Sequence, residues 1–169
     1  TAIGKSLEGT ENFYKQVGVT AIPHGLSKWK QKGSSRANYG IIAVNCDALA
    51  NTAIELMDKG VQKILLEKPA GLTAQQIKRV CVHAKKTGSE IYIAYNRRFY
   101  ASVREAQKLI KEDGGVQSFN FEFTEWCDQI DKKLKNSTTG ENWFLANSSH
   151  VVDLAFFLGG EPKEFSSYT

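Results

Sequence analysis

Two stretches of this sequence carry side chains whose types and spacing could do chemistry, Glu67-Lys68 before Pro69 and His150 with Asp153. An ammonium polarises or hydrogen-bonds a reacting oxygen, and an imidazole with an ordinary pKa of about 6.5 takes up or delivers a proton near neutrality. In the stretch Lys63 to Pro69 the apolar run Ile64, Leu65 and Leu66 passes directly into Glu67, Lys68 and Pro69. Such an unbroken run is expected of a strand covered on both faces in a parallel sheet. Glu67 and Lys68 then emerge at its carboxyl end, the edge where open α/β sheets bind ligands. Pro69 removes a backbone donor and restrains Lys68 to an extended or turn conformation. His150 stands at the start of a strongly apolar helix, and Asp153 follows on the same face, where its carboxylate can orient the imidazole. The alternatives are a solvated Glu67-Lys68 pair at an ordinary loop start and a structural histidine near a helix start.

For these groups to meet, several strands must end on one edge. Tyr39 to Asn45 reads as a buried strand and Ile91 to Tyr95 as another. Asp47 is expected to cap a helix with Leu49, Ala50, Ala53, Ile54 and Met57 on one face and Gly60 as its stop. Thr73 and Gln76 have capping-box spacing for a helix presenting Ile77, Val80, Cys81 and Ala84 and ending at Gly88. Three strand–helix alternations with short connections predict βαβ units and a parallel sheet. That sheet gathers Asn45, Glu67, Lys68, Asn96 and Arg97 on one edge. Upstream, the first residues carry no strand signal, and Gly4-Lys5-Ser6 lacks the earlier glycine of a phosphate-binding loop. Thr10 is expected to cap a short helix ending at Gly18, followed by a strand over Val19 to Ile22, a short helix from Leu26 to Lys32 and a loop at Gly33-Ser34-Ser35.

After Phe99 the texture changes. Val103, Ala106, Leu109 and Ile110 mark an amphipathic helix closed by Gly114-Gly115, and Val116 to Thr124 alternates apolar with polar residues. That alternation predicts a half-buried strand and the start of a second domain, so the expected division is 1–98 and 99–169. Cys127 to Asn142 reads as a long polar loop of the kind that binds substrate or acts as a lid. Trp126, Trp143 and this loop are candidates for stacking on and hydrogen-bonding a ring-shaped polar ligand, the alternative being that both tryptophans pack in a core. Ser or Asn at 147–149 is expected to cap the last helix, which Gly159-Gly160 stops.

The charge of +4 is modest and interspersed, which does not point to nucleic acid. No apolar run approaches a membrane span and no signal-peptide pattern opens the chain, so a soluble, cytoplasmic protein is expected. Cys46, Cys81 and Cys127 are odd in number and widely spaced, which predicts reduced thiols. Cys81 and His83 fall on different helix faces, and no metal site is expected. The sequons Asn136-Ser137-Thr138 and Asn147-Ser148-Ser149 carry no meaning in a cytoplasmic chain.

The order of Tyr39 to Asn45, Leu66-Glu67-Lys68-Pro69, Tyr95-Asn96-Arg97-Arg98-Phe99 and His150-Val151-Val152-Asp153 resembles the Gfo/Idh/MocA family, over about residues 10 to 165. The resemblance implies an amino-terminal NAD(P)-binding Rossmann domain, here a partial parallel sheet, and the start of an α/β (α+β) domain built on a mostly antiparallel sheet. It implies NAD or NADP as cofactor and hydride transfer at a carbinol or carbonyl carbon of a sugar, inositol or nucleotide sugar. By position, Lys68 resembles the family lysine that reaches substrate and nicotinamide, and His150 its catalytic histidine. Asn45, Glu67, Pro69, Asn96 and Arg97 are then expected beside the cofactor, and Trp126, Trp143, Asn147 and Asp153 beside the substrate. The sequence departs from the family at two points. No Gly-x-Gly-x-x-Gly spacing occurs in it, so the pyrophosphate cradle is missing and an internal piece of a longer protein is expected. Ala146 stands where many members carry an aspartate, which favours the alternative of a non-enzymatic dinucleotide- or sugar-binding regulator. The missing cradle predicts weak or no dinucleotide binding by these residues alone, and an uncovered sheet edge predicts a homo-oligomer.

Overall fold

A computed structural model describes residues 1–29, 37–124, 126 and 137–167. It is a mixed α/β fold with a parallel sheet of Rossmann type. Strands β3 (Tyr39–Ile42), β4 (Lys63–Leu66) and β5 (Glu90–Ile93) pair in parallel, with Ile42 opposite Leu66 and Leu66 opposite Ile93. Helix α2 (Leu49–Asp58) and helix α3 (Ala74–Thr87) make the two crossovers. Each stops where the sequence supplies a glycine in the left-handed region, Gly60 at φ 84° and Gly88 at φ 70°. The Thr73 hydroxyl accepts from Gln76 N, as the spacing predicts, while the Gln76 side chain accepts from Leu72 N instead of closing on Thr73. The core lies between the sheet and these two helices, with Ile42, Leu49, Ala53, Met57, Val61, Ile64 and Leu66 at its centre.

Several expectations change. A strand is present at the start: β1 (Ala2–Ile3) pairs in parallel with β2 (Ala21–Ile22) as a separate two-stranded sheet, too short for a pattern to register. Helix α1 (Leu7–Val17) between them is capped by Ser6, whose hydroxyl accepts from Gly9 N; Thr10 is inside the helix and buried, bonded to Leu7 O. Asp47 does not cap α2, because Asn45 O and Ala48 N close a turn first and Ala48 takes the cap position. Cys81 is exposed on α3, outside the buried pair Val80 and Ala84. A 3-10 turn covers Leu26–Lys28, and the expected helix end and loop at residues 30–36 lie outside the described residues.

The run Ile64, Leu65 and Leu66 is covered on one face only. Ile64 and Leu66 are fully buried against α2 and α3, whereas Leu65 is 42% exposed, because both helices lie on the same side. Helix α4 (Ala101–Glu112) forms as expected and closes at Gly114 and Gly115, but of its apolar stripe only Val103 is buried. The predicted strand at Val116–Thr124 forms no ladder, since none of the described residues lies alongside it as a paired strand. Its alternation survives in side-chain direction, with Phe119 and Phe121 stacked at 6.3 Å and both edge-on to Phe156. Short helix α5 (Thr138–Glu141) leads through a π-helical turn, Phe144–Ser148, into α6 (Ser149–Gly159). The turn is already helical, so Ser148 stands at the cap position of α6 without capping it. No helix among the described residues is long and apolar enough to cross a membrane.

Candidate active site

The parallel register puts the carboxyl ends of β3, β4 and β5 side by side, and the site is built on that edge. Glu67 N donates to Ile42 O at 2.9 Å, extending the β3–β4 ladder by one rung, and Ala94 N donates to Leu66 O at 2.9 Å on the other side. The chain then turns sharply. Lys68 N donates to the Glu67 carboxylate at 2.8 Å, Ala70 N to Glu67 O at 3.1 Å, and Pro69 follows a cis peptide into the buried floor. Glu67 thus uses one carboxylate oxygen to shape this turn.

Lys68 Nζ donates to the carbonyl of Ala146 in the π-helical turn, 78 residues further along the chain. That turn runs straight into α6 and His150, so the hydrogen bond ties the sheet edge to the histidine. The imidazole meets the Tyr95 ring edge to face, with centroids 5.8 Å apart. Its Nδ1 is enclosed and has no hydrogen-bond partner among the described residues. Burial first, then the charges of Lys68 and Arg97, hold the His150 pKa below the ordinary 6.5, against the smaller opposing pull of Glu67 and Asp153. At neutral pH the ring is therefore unprotonated and able to accept a proton. Burial likewise pushes the Tyr95 phenol up, so it stays protonated.

The sequence reading gathers Asn45, Glu67, Lys68, Asn96 and Arg97 on one edge, and the structure sets Glu67, Lys68 and Arg97 near enough to His150 to act on its charge. Asp153 is close but does not orient the imidazole as its spacing predicts. Its carboxylate takes a two-point fork from Arg98, Nε at 2.8 Å and Nη2 beside it. Asn45 and Asn96 are exposed on the strand edge, and Asn147 is exposed on the π-helical turn. Trp143 is half-buried, whereas Trp126 is 72% exposed and does not pack in a core. Most of the polar loop, residues 127–136, lies outside the described residues. Arg98 and Tyr95 were missed as site residues. The available signal was their own spacing of three, which matches that of His150 and Asp153. A cleft of about 500 Å³ adjoins the site, walled by Tyr95, Arg98, Leu145, Ser149, Asp153 and Phe157. Among the described residues no cluster of histidine, cysteine and carboxylate side chains could hold a metal ion.

No protein-family model and no curated protein matches the chain. Solved structures do. Levoglucosan dehydrogenase in complex with NADH and levoglucosan is 20% identical with a TM-score of 0.76, the match covering 95% of this chain and 45% of that one. The WlbA dehydrogenase from Bordetella pertussis, in complex with NADH and UDP-GlcNAcA, is 20% identical with a TM-score of 0.69, covering 94% and 50%. Its counterpart from Chromobacterium violaceum, with the same two ligands, is 16% identical with a TM-score of 0.67, covering 92% and 47%. At these identities the likeness is one of fold. The chain spans about half the length of the structures it matches.

Proposed function

We propose that this chain carries the nicotinamide side and the acid–base residues of an NAD(P)-dependent oxidoreductase of the Gfo/Idh/MocA type. The substrate class is a sugar, inositol or nucleotide sugar, oxidised or reduced at a carbinol or carbonyl carbon. The observation that carries the reading is the bond from Lys68 to the Ala146 carbonyl, which sets the sheet-edge lysine against the segment bearing His150. The similar solved structures support it, being dehydrogenases with NADH bound. In this reading residues 1–98 belong to the cofactor domain and 99–169 open the substrate domain.

The residues present fit one end of the cofactor. A parallel-sheet edge with Glu67, Lys68, Asn96 and Arg97 on it suits the nicotinamide, with Asn45 and Pro69 beside it; the glycine spacing that would cradle a pyrophosphate is absent from the sequence. Bound nicotinamide supplies the hydride acceptor or donor. Lys68 donates a hydrogen bond to the reacting oxygen and stabilises negative charge there, and His150, unprotonated at neutral pH, takes the hydroxyl proton during oxidation and returns it during reduction. Asn147, Trp143 and Trp126 are proposed to line the substrate side, whereas Asp153 acts only through Arg98.

The second reading, a regulator that binds without turnover, is favoured by Ala146. It is buried, and its methyl side chain supplies no carboxylate to pair with His150. Both readings meet the same experiment. The full-length protein is screened with sugars and each cofactor for absorbance change at the reduced-nicotinamide band, and Lys68→Ala and His150→Ala are then compared on a confirmed substrate. The enzyme reading expects each variant to lose about 100-fold or more in kcat/KM. Losses of only a few-fold would overturn the residue assignment, and binding without turnover across the panel would establish the regulator.

A further inference from the structure

The two segments that meet at the site carry matching pairs three residues apart, Tyr95 and Arg98 on one and His150 and Asp153 on the other. The pairs interlock rung by rung. Tyr95 lies edge-on to His150, and Arg98 grips Asp153 through Nε and Nη2. The guanidinium is also held between two rings, 4.6 Å from the Phe157 centroid and 5.7 Å from that of Tyr95. The Asp153 side chain is only 10% exposed, so its carboxylate is enclosed in this fork. A helical spacing of three puts that carboxylate one turn from His150, on the same face. Arg98 is what takes it.

We propose that Arg98 is a positioning residue for His150: by holding Asp153 it keeps the carboxylate off the imidazole and locks α6 against the turn Asn96–Phe99. The ring is then left with Nδ1 enclosed and without a partner among the described residues, so proton transfer runs through Nε2. This deepens the proposed function and rests on its assignment of His150. Among the described residues the charged groups facing the imidazole are Glu67 and Lys68 from the end of β4, Arg97 from the turn after β5, and Asp153 from α6 itself. Lys68 and Arg97 oppose its protonation and Glu67 and Asp153 favour it. Releasing Asp153 therefore moves the balance in one direction only, toward the imidazolium.

The test follows the ring carbon signals of the three histidines by NMR through a pH titration of the full chain, with His150 assigned from its loss in His150→Gln. In Arg98→Ala the freed carboxylate is expected to raise the His150 pKa by about one unit. In Arg98→Ala/Asp153→Asn no carboxylate is freed and no rise is expected. A His150 titration unmoved in the single variant, or an equal rise in the double variant, overturns the proposal. If Arg98→Ala fails to fold by circular dichroism, Arg98→Lys keeps the charge without the two-point fork, and a smaller rise is expected there; no rise again overturns it. The titration needs neither substrate nor cofactor. A protein without turnover would thus defeat the proposed function and leave the clamp standing, whereas an unmoved His150 would defeat the clamp alone. With a confirmed substrate, the acid limb of the kcat/KM profile should move to higher pH in Arg98→Ala, by the shift seen in the titration.

Discussion

The sheet β3–β4–β5 has one closed face and one open face, and they are made of similar residues. On the closed face Ile42, Ile64 and Leu66 are at most 3% exposed beneath α2 and α3. On the open face Tyr39, Ile41, Leu65 and Tyr92 stand 75%, 78%, 42% and 54% exposed. Leu65 and Leu66 are chain neighbours of the same type, yet one is buried and the other is not. Apolar character makes both residues good strand formers; which of them is covered depends on where the crossover helices land. Here α2 and α3 land together, packed on each other with His83 bonded to Asp58 at 2.8 Å.

The largest effect that tests this contrast is a pair of truncations. Leu66→Ala is expected to cost about 3 kcal/mol, the range for a leucine removed from a packed core, and Leu65→Ala less than about 1 kcal/mol. Urea denaturation of both variants measures the difference, and equal costs would mean that something covers the open face in solution. Next in size is Gly40→Ala. Gly40 lies opposite Ile64 on the closed face, where an added Cβ runs into the Leu56 side chain. A cost of about 1 kcal/mol is expected, because the end of a leucine can give way where backbone could not. Adding Leu56→Ala should make the two changes non-additive, with the double variant more stable than the sum predicts.

Acid separates the open face from the site. The open face carries Lys63, Glu90 and Tyr92, with the Glu90 carboxyl held down by the Tyr92 hydroxyl and by Lys63. These groups stand in water, so Glu90→Gln should leave the acid slope of stability unchanged. His150 is different. Its folded pKa lies below the ordinary value, so as pH falls through about 6.5 the unfolded chain takes up a proton that the folded chain refuses. Stability is expected to drop across that window and on toward the folded pKa, and His150→Gln to flatten the drop. Denaturation midpoints at a series of pH values check both variants, and a slope unaltered in His150→Gln would contradict the burial of its ring.

Much of the closed half was legible because each signal had a local cause. The stripe of α2, the Thr73 cap and the glycines at 60 and 88 act within one or two turns, so sequence spacing is enough to place them. The strand-edge gathering of Glu67, Lys68 and Arg97 was legible for a topological reason, since parallel strands put their carboxyl ends on one side. What failed was whatever depended on a neighbour. Two residues at Ala2–Ile3 form a strand only because Ala21–Ile22 lies beside them, and Val116–Thr124 has the strand pattern but no paired strand among the described residues. Asp153 was assigned to His150 by spacing along its own helix. Arg98 takes it from across the interface, where no spacing within one element can see.

The smallest stability effect belongs to the open face, and it carries a different readout. Ile41 and Leu65 are paired in register across β3 and β4, forming an apolar patch with Tyr39 and Tyr92 around the Lys63–Glu90 ion pair. Contiguous exposed apolar surface of this kind drives association, because each contact removes it from water without any packing inside the chain being lost. Ile41→Lys and Leu65→Lys should therefore leave the denaturation midpoint within about 0.5 kcal/mol of the parent. Light scattering across a concentration series should at the same time show less self-association, since a lysine ammonium stays hydrated at the rim of any contact. A variant as associated as the parent would move the sticky surface elsewhere, to the exposed Leu7, Tyr14 and Val17 of α1. A large loss of stability would say that the open face is packed in solution and that Leu65 and Leu66 are equally buried.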